Sequence, residues 1–314
     1  MSKIKVLDRF KNYKIINEII RKKIENATDT CLVPLNDNTF LINNTIHLLK
    51  RIGSESSYGT VYISVINKHS KVKFITKIQL DTGDSVKEIN ILRMLTKYAY
   101  LHFNIHLPIM YNNVRCDFFN KNNKKLPEKI LDKHYNVNSY NSLFIELACG
   151  DLQQFLIKQP TITAKVIDNI LAQTFVSILT LHRLNIIHND THLGNFLYFK
   201  IYKGGCFKYI YKDIIFYIEN IGLNWVISDF GLSKTITPSL NYKKYITKDY
   251  DTILTVIIEY LVKINFDDIN ILKSLSRFIS KGLDSDYILF KILLKNELFI
   301  SKQPIGQVIT TITL

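Results

Sequence analysis

The sequence predicts an α+β fold, and three observations carry that reading. Apolar residues Ile167, Ile170, Leu171, Phe175, Ile178 and Leu179, with His182, recur at the spacing of one helix face, so residues 163–183 read as an amphipathic helix. Runs rich in β-formers occur at Phe74-Ile75-Thr76-Lys77, at Leu143-Phe144-Ile145-Glu146-Leu147 and at Asn224-Trp225-Val226-Ile227-Ser228. Finally, 314 residues with 47% apolar content can bury a sizeable core, as one two-lobed domain or two intimate lobes.

Taken in order, residues 3–25 alternate basic side chains with Ile4, Leu7, Phe10, Ile15, Ile16, Ile19 and Ile20, which predicts a helix packed on the fold. The competing reading of that pattern is a membrane-surface or partner-binding helix. A glycine-bearing stretch, Ile52-Gly53-Ser54-Glu55-Ser56-Ser57-Tyr58-Gly59-Thr60-Val61-Tyr62, precedes the first β-rich run. Val86 to Leu95 reads as a helix with Asp84 as its N-cap. Residues 117–142, rich in Asn, Lys and Asp, read as a solvated insertion between strands, and Cys149-Gly150-Asp151-Leu152 as a small-residue bend opening a polar helix.

The chemistry concentrates further along. His188-Asn189-Asp190-Thr191-His192-Leu193-Gly194-Asn195 has the form HxDxxxxN, and Asp229-Phe230-Gly231 follows the buried strand at 224–228. Phosphoryl transfer asks a protein to orient a hydroxyl and to neutralise charge on the moving phosphate. Asp190 is suited to accept or orient the hydroxyl, Asn195 to turn its amide oxygen onto magnesium, and Asp229 to hold that magnesium from the other side. His188 is expected to hold the loop by packing and hydrogen bonding, Trp225 to be core, and the tyrosines within 198–217 to pack a strand hairpin.

These segments, in this order, resemble the eukaryotic protein kinase superfamily across residues 46 to about 265. The stretch from Gly194-Asn195-Phe196-Leu197-Tyr198 through Lys203-Gly204-Gly205 and Tyr217-Ile218-Glu219-Asn220 to Trp225–Gly231 resembles more closely the serine/threonine kinases of large cytoplasmic DNA viruses. The resemblance implies a bilobal kinase-like fold, a small antiparallel sheet lobe joined to a larger, mainly helical lobe, with ATP and Mg2+ in the cleft. Residues 1–45 would form a helical extension, 46–148 the N-lobe and hinge, and 149–314 the C-lobe with an insertion at about 198–222. By the same resemblance Gly53, Ser56, Gly59 and Val61 would cover the phosphates and Lys77 would contact them, paired by Glu88. Ile145 would be the gatekeeper, Glu146 to Ala148 the adenine hinge, and Asp151 would sit near the ribose. Protein Ser/Thr hydroxyls would be the acceptors. Lys73 is the rival for the strand lysine.

Four departures qualify the resemblance. Ser replaces the central glycine of the phosphate loop, which also carries an extra residue. Asn189 stands where many kinases have arginine, removing the cation that reads a phosphorylated activation loop, so activity is expected without phosphate on Thr235, Thr237 or Ser239. His192 occupies the usual lysine position beside the γ-phosphate and is read as a catalytic residue. No Ala-Pro-Glu follows Gly231, and a helix from Tyr250 to Val262 arrives early, with Asp251, in preference to Asp249, bracing the catalytic loop. Two other readings stay open: a kinase-like small-molecule phosphotransferase, and a pseudokinase that binds without catalysis.

Forty-one basic against 27 acidic side chains give +14, which favours acidic protein, nucleic acid or anionic membrane surfaces as partners. Cys31, Cys116, Cys149 and Cys206 have no metal-ligand spacing and are expected to be reduced. No signal-like apolar core follows Met1-Ser2-Lys3, and later apolar runs are short, so the expectation is an intracellular, cytoplasmic protein without a transmembrane segment. A monomer is also expected. For a viral kinase that means host cytoplasm, with packaging into particles as a further destination.

Overall fold

The computed structural model describes residues 3–24, 32–35, 39–52, 59–67, 72–117, 139–159, 161–236, 242–267 and 269–314. They form an α+β structure of seven α-helices and mostly antiparallel sheets. The chain divides into two compact units, one of Asp8–Lys97 with Pro108–Leu147, the other of Met1–Leu7, Tyr98–Leu107 and Ala148–Leu314.

The first unit is built on a seven-stranded antiparallel sheet. Its strands are β1 (Leu32–Pro34), β2 (Phe40–Ile42), β3 (Ile46–Ile52), β4 (Gly59–Ile66), β5 (Lys73–Leu80), β6 (Met110–Asp117) and β7 (Ser139–Glu146), in the order β1-β2-β3-β4-β5-β7-β6. Strands β1 and β2 thus fall inside the span read as a helical extension. Alternation along β5 buries Phe74, Thr76 and Ile78 on one face, where Phe74 meets Phe144 edge-on at 6.0 Å. Lys77 and Val61 lie opposite each other on the other face.

Helix α1 (Asp8–Ile24) buries Phe10, Ile16 and Ile20 and leaves Ile15 and Ile19 outward, so it packs on the fold as expected. It begins later than residue 3, because Ile4 instead makes a parallel bridge to Ile201 within the other unit. Arg9 on α1 is buried and pairs with Glu146 on β7.

Helix α2 (Gly83–His102) is longer than the pattern at 86–95 indicated. Asp84 lies inside its first turn, and the cap is Thr82, whose Oγ1 accepts the Ser85 N–H (3.3 Å) while Ser85 Oγ accepts the Thr82 N–H (3.0 Å). Residues 118–138 of the expected insertion lie outside the described residues, but 139–142 are strand. Asn141, polar in a central strand, is accepted there because its amide donates to Asp81 Oδ1 at 2.8 Å. Cys116 is disulfide-bonded, against the expectation of four reduced cysteines, while Cys149 and Cys206 are free.

In the second unit, β8 (Gly150–Asp151) leads into α3 (Leu152–Lys158), and α4 (Ala164–Arg183) is the core helix. Its apolar face is buried as the spacing predicts, and so are Gln173, Thr174 and Ser177. Among the described residues α4 is the only helix long and apolar enough to cross a membrane, and 78% of that stretch is buried inside the protein. After α4 come β9 (Ile186–Ile187), the 3-10 turn Leu193–Asn195, β10 (Phe196–Lys200), the hairpin β11 (Cys206–Tyr211) and β12 (Ile214–Glu219), and β13 (Leu223–Ile227).

Beyond β14 (Lys234–Thr235) lie α5 (Tyr242–Lys263), α6 (Ile269–Ser280), α7 (Asp286–Lys295) and β15 (Val308–Thr313). Helix α5 starts at Tyr242 rather than Tyr250, so its first two turns carry the basic stretch Lys243-Lys244 that the apolar pattern passed over. Strand β15 pairs in parallel with β11. Of the tyrosines expected to pack the hairpin, Tyr209 stacks on Phe216 at 4.9 Å with its hydroxyl 2.6 Å from His106 Nε2, and Tyr211 is buried, whereas Tyr202 is 59% exposed. Trp225 is fully buried, as expected of a core residue.

Candidate active site

The loop from His188 to Asn195 is held at both ends by strands. β9 pairs antiparallel with β14, Lys234 opposite Ile187, and β10 pairs antiparallel with β13, Phe196 opposite Ile227. Within this frame Asn189 takes a left-handed conformation (φ 66°), which asparagine tolerates better than most residues.

Asp190 and Asn195 are brought together. Asn195 Nδ2 donates to the Asp190 carbonyl oxygen at 2.8 Å and to Asp190 Oδ2 at 3.0 Å. With the amide nitrogen so engaged, the carbonyl oxygen of Asn195 is the end of the side chain suited to a cation. Ser228, the residue before Asp229, is tied to Asn195: its N–H and Oγ both donate to the main-chain carbonyl of Asn195, at 2.8 and 3.1 Å, which leaves the side-chain oxygen aside. Asp229 itself is exposed at the end of β13, in a left-handed conformation (φ 62°), with Oδ1 accepting the Gly231 N–H at 3.4 Å. A non-glycine residue held there is backbone strain that its surroundings must sustain.

His192 is half exposed. Its Nδ1 accepts the Gly194 N–H at 3.0 Å, and Nε2 stands 3.5 Å from Asp190 Oδ2. The side chain therefore caps the 3-10 turn as well as facing the proposed base. His188 is fully buried, with Nε2–H donating to the Ser228 carbonyl at 2.9 Å. Burial pushes its pKa down despite the nearby carboxylates, so it is a neutral prop for the loop, the role expected of it.

The brace on this loop is Asp249, where Asp251 was preferred from sequence. Asp249 is 1% exposed; its Oδ2 accepts the His188 N–H at 2.8 Å and its Oδ1 the Asn189 N–H at 2.7 Å, while Thr191 Oγ1 donates to its carbonyl at 2.6 Å. Asp251 lies on another side of α5, partly buried, with its pKa raised by burial. Two residues of helix turn the side chain by about 200°, so only one of the pair can face the loop.

Behind Asp249 stands His182, fully buried, with Nε2 3.2 Å from Asp249 Oδ2 and Nδ1 2.6 Å from Asp286 Oδ1. Burial opposes its charge, but Asp286 and Asp249 outweigh that and hold the imidazolium pKa up at about 9. Tyr250 Oη also donates to Asp286, at 2.7 Å. Sequence reading placed His182 on an apolar helix face and missed this ionic role; a histidine among isoleucines and leucines was the available signal. Lys248 was missed too: its Nζ donates to Asn189 Oδ1 at 2.7 Å, bringing a cation beside the position that lacks arginine.

The first unit carries the other expected residues. Lys77 Nζ donates to both Glu88 oxygens, at 2.7 and 3.0 Å, with Glu88 buried on α2. Lys73 is exposed at the start of β5. Gly59 opens β4 where a Cβ would meet the Ile78 carbonyl at 2.5 Å, so only glycine fits without displacing β5. Val61 is half-buried opposite Lys77, and Ile145, also half-buried, pairs with Ile75. Gly53 and Ser56 lie outside the described residues.

The Glu146 side chain is committed to Arg9 and to the Ile109 N–H (2.9 Å), so only its backbone is available for the expected hinge role. In the second unit Ala148 is half-buried, and Asp151 Oδ1 caps α3 by accepting the Gln154 N–H at 2.7 Å.

Among the described residues no three His, Cys, Asp or Glu side chains converge on a metal position. The donors expected for Mg2+, an amide oxygen and a carboxylate, are nonetheless of the right kind, because magnesium keeps waters and phosphate oxygens and needs only one or two protein ligands. No protein-family model matches this chain, and no curated protein matches it.

Proposed function

We propose that this chain is an ATP- and magnesium-dependent protein kinase of bilobal fold, acting on serine or threonine hydroxyls. The observation that carries the reading is the bond from Asn195 Nδ2 to Asp190, which orients a carboxylate and an amide oxygen together at the head of a braced loop. The Lys77–Glu88 pair adds the phosphate-contacting cation that the same chemistry requires.

In this mechanism Asp190 accepts a hydrogen bond from the acceptor hydroxyl and takes its proton as the oxygen bonds to the γ-phosphorus and the bond to the leaving ADP oxygen breaks. Asn195 and Asp229 would hold Mg2+, which when bound neutralises phosphate charge. Lys77 adds positive charge at the phosphates, and Glu88 keeps its ammonium in place. His192 donates through Nε2 toward the same region while Nδ1 stays on Gly194. The excess of basic residues suits acidic protein partners.

The test is transfer from labelled ATP with magnesium to a panel of basic proteins, acidic proteins and small alcohols, beside Asp190→Asn and Asp229→Asn. Transfer to protein serine or threonine is expected, with losses of about 100-fold or more in each variant. Transfer to the alcohols alone would make the chain a small-molecule phosphotransferase. No transfer to any acceptor, itself included, would leave a binding scaffold.

A further inference from the structure

A concave site lies within the larger unit, lined by the first turns of α4, the end of β12 and the loop after α7. It encloses about 420 Å³, within the range of ligand pockets. None of the groups assigned to phosphoryl transfer lines it.

Its walls are built. Asn169 Nδ2 donates to the Glu219 carbonyl at 2.8 Å, and Tyr217 and Ser301 exchange backbone hydrogen bonds of 2.9 Å, which joins the loop after α7 to β12. Glu297 and Phe299 in that loop take left-handed conformations (φ 49° and 65°).

The charge of the pocket opposes that of the chain. One lysine, Lys165, faces three carboxylates, Asp168, Glu219 and Glu297, in a protein of net charge +14. Lys165 is engaged by Glu219 at 2.7 Å, and Glu297 pairs with Lys302 at 3.4 Å. No hydrogen bond or ion pair reaches the Asp168 carboxylate among the described residues, although it is half-buried and burial raises its pKa. Beside it Ile221, Phe299 and the 46%-exposed Ile305 supply apolar surface.

That combination selects among ligands. An anion would meet the excess of carboxylates. A purely apolar ligand would bury Asp168 further without a partner. A metal ion would need the acids to converge, and among the described residues they do not. A cation on an apolar stem satisfies both halves, its head on Asp168 and its methylenes on Phe299 and Ile305.

We propose that this pocket docks an arginine or lysine side chain, with an apolar neighbour, from a protein substrate, away from the phosphoryl-transfer residues. The substrate part of the proposal rests on the kinase reading; the docking part does not.

The binding arm uses the full chain and a fluorescein-labelled heptapeptide of alternating arginine and leucine, read by anisotropy, with the glutamate–leucine counterpart as control. Asp168→Asn and Ile305→Ala are each expected to weaken binding of the arginine–leucine peptide about tenfold, with unchanged circular dichroism, while the glutamate–leucine control reads the same on wild type and both variants. Equal affinity in both variants and wild type overturns the pocket. Agmatine competing at the peptide's own concentration range overturns the protein source in favour of a free amine.

The transfer arm compares an acceptor peptide with and without the arginine–leucine segment. Asp168→Asn is expected to raise KM about tenfold for the first only, with kcat kept; an equal KM change for both overturns docking. If no acceptor is phosphorylated while the binding arm holds, the kinase reading falls and the pocket stands.

Discussion

Asp249 accepts the backbone N–H of Asn189 at 2.7 Å, through an oxygen different from the one that accepts the His188 N–H. A single buried carboxylate thus fixes two successive peptides immediately before Asp190. Because an unpaired buried N–H is expensive, this loop conformation depends on the two acceptor oxygens of Asp249.

Asp249→Ala is therefore expected to cost about 3–5 kcal/mol of unfolding free energy, the range for breaking a buried pair, since His182 would lose one of its two carboxylates. Phosphate transfer should fall with it. Asp251→Ala, on the other side of the helix, should cost less than about 1.5 kcal/mol. Urea unfolding of the two variants checks this, and equal losses would reject the assignment of the brace.

The same pair makes stability depend on alkaline pH. His182 is held up at about 9 in the folded chain, above an unfolded value of about 6.5. A group raised on folding contributes stability that is fully present below its unfolded pKa and is lost as pH rises through its folded pKa. The urea midpoint should therefore fall between pH 7 and pH 10, and the fall should be shallower in His182→Gln. A variant profile parallel to wild type would show that other groups carry the effect.

Lys77→Met should remove transfer by about 100-fold or more if its ammonium meets the phosphates. It also leaves the Glu88 carboxylate, 7% exposed, without that cation, so a stability loss of about 1–3 kcal/mol is expected. Lys77→Met with Glu88→Leu should recover stability but not transfer. Recovery of transfer in the double variant would show that Lys77 serves the fold alone.

At Gly59 the constraint is steric. With a Cβ 2.5 Å from the Ile78 carbonyl, Gly59→Ala must separate β4 from β5, and a cost of about 1–3 kcal/mol is expected. Since Val61 and Lys77 face each other two residues along the same ladder, KM for ATP should rise as well. A thermal melt and ATP kinetics on this variant check both effects.

Thr235 is exposed and paired through its backbone with Ile186, and Asn189 is bonded by Lys248. Thr235→Ala should keep turnover within about twofold, and phosphatase treatment should leave wild-type activity intact. Loss of activity in either case would mean that phosphate on this segment organises the loop. Thr237 and Ser239 lie outside the described residues, and the phosphatase arm covers them.

What could be read from the chain alone followed from local chemistry. Asp190 and Asn195 are five positions apart, so one short turn brings them together whatever surrounds it. Lys77 and Glu88 lie on a strand and the helix that follows it, and opposite charges there meet at short range. Helix α4 announced itself because its apolar residues repeat at 3.6. Other features were hidden for equally physical reasons. Thr82 caps α2 through a reciprocal bond with Ser85 that the neighbouring Asp84 imitates in sequence, and strand 139–142 is too polar to look buried.

By itself, then, the sequence determined the α+β class, the core helix and the residue types suited to phosphoryl transfer, because periodicity and motif spacing are properties of neighbours along the chain. The tertiary structure decided which of two aspartates on one helix turn holds the loop, which histidine is charged and which is neutral, and that Glu146 spends its carboxylate on Arg9. Those outcomes depend on which groups distant in sequence share one buried volume, where removing water makes each unpaired charge costly and each paired one specific.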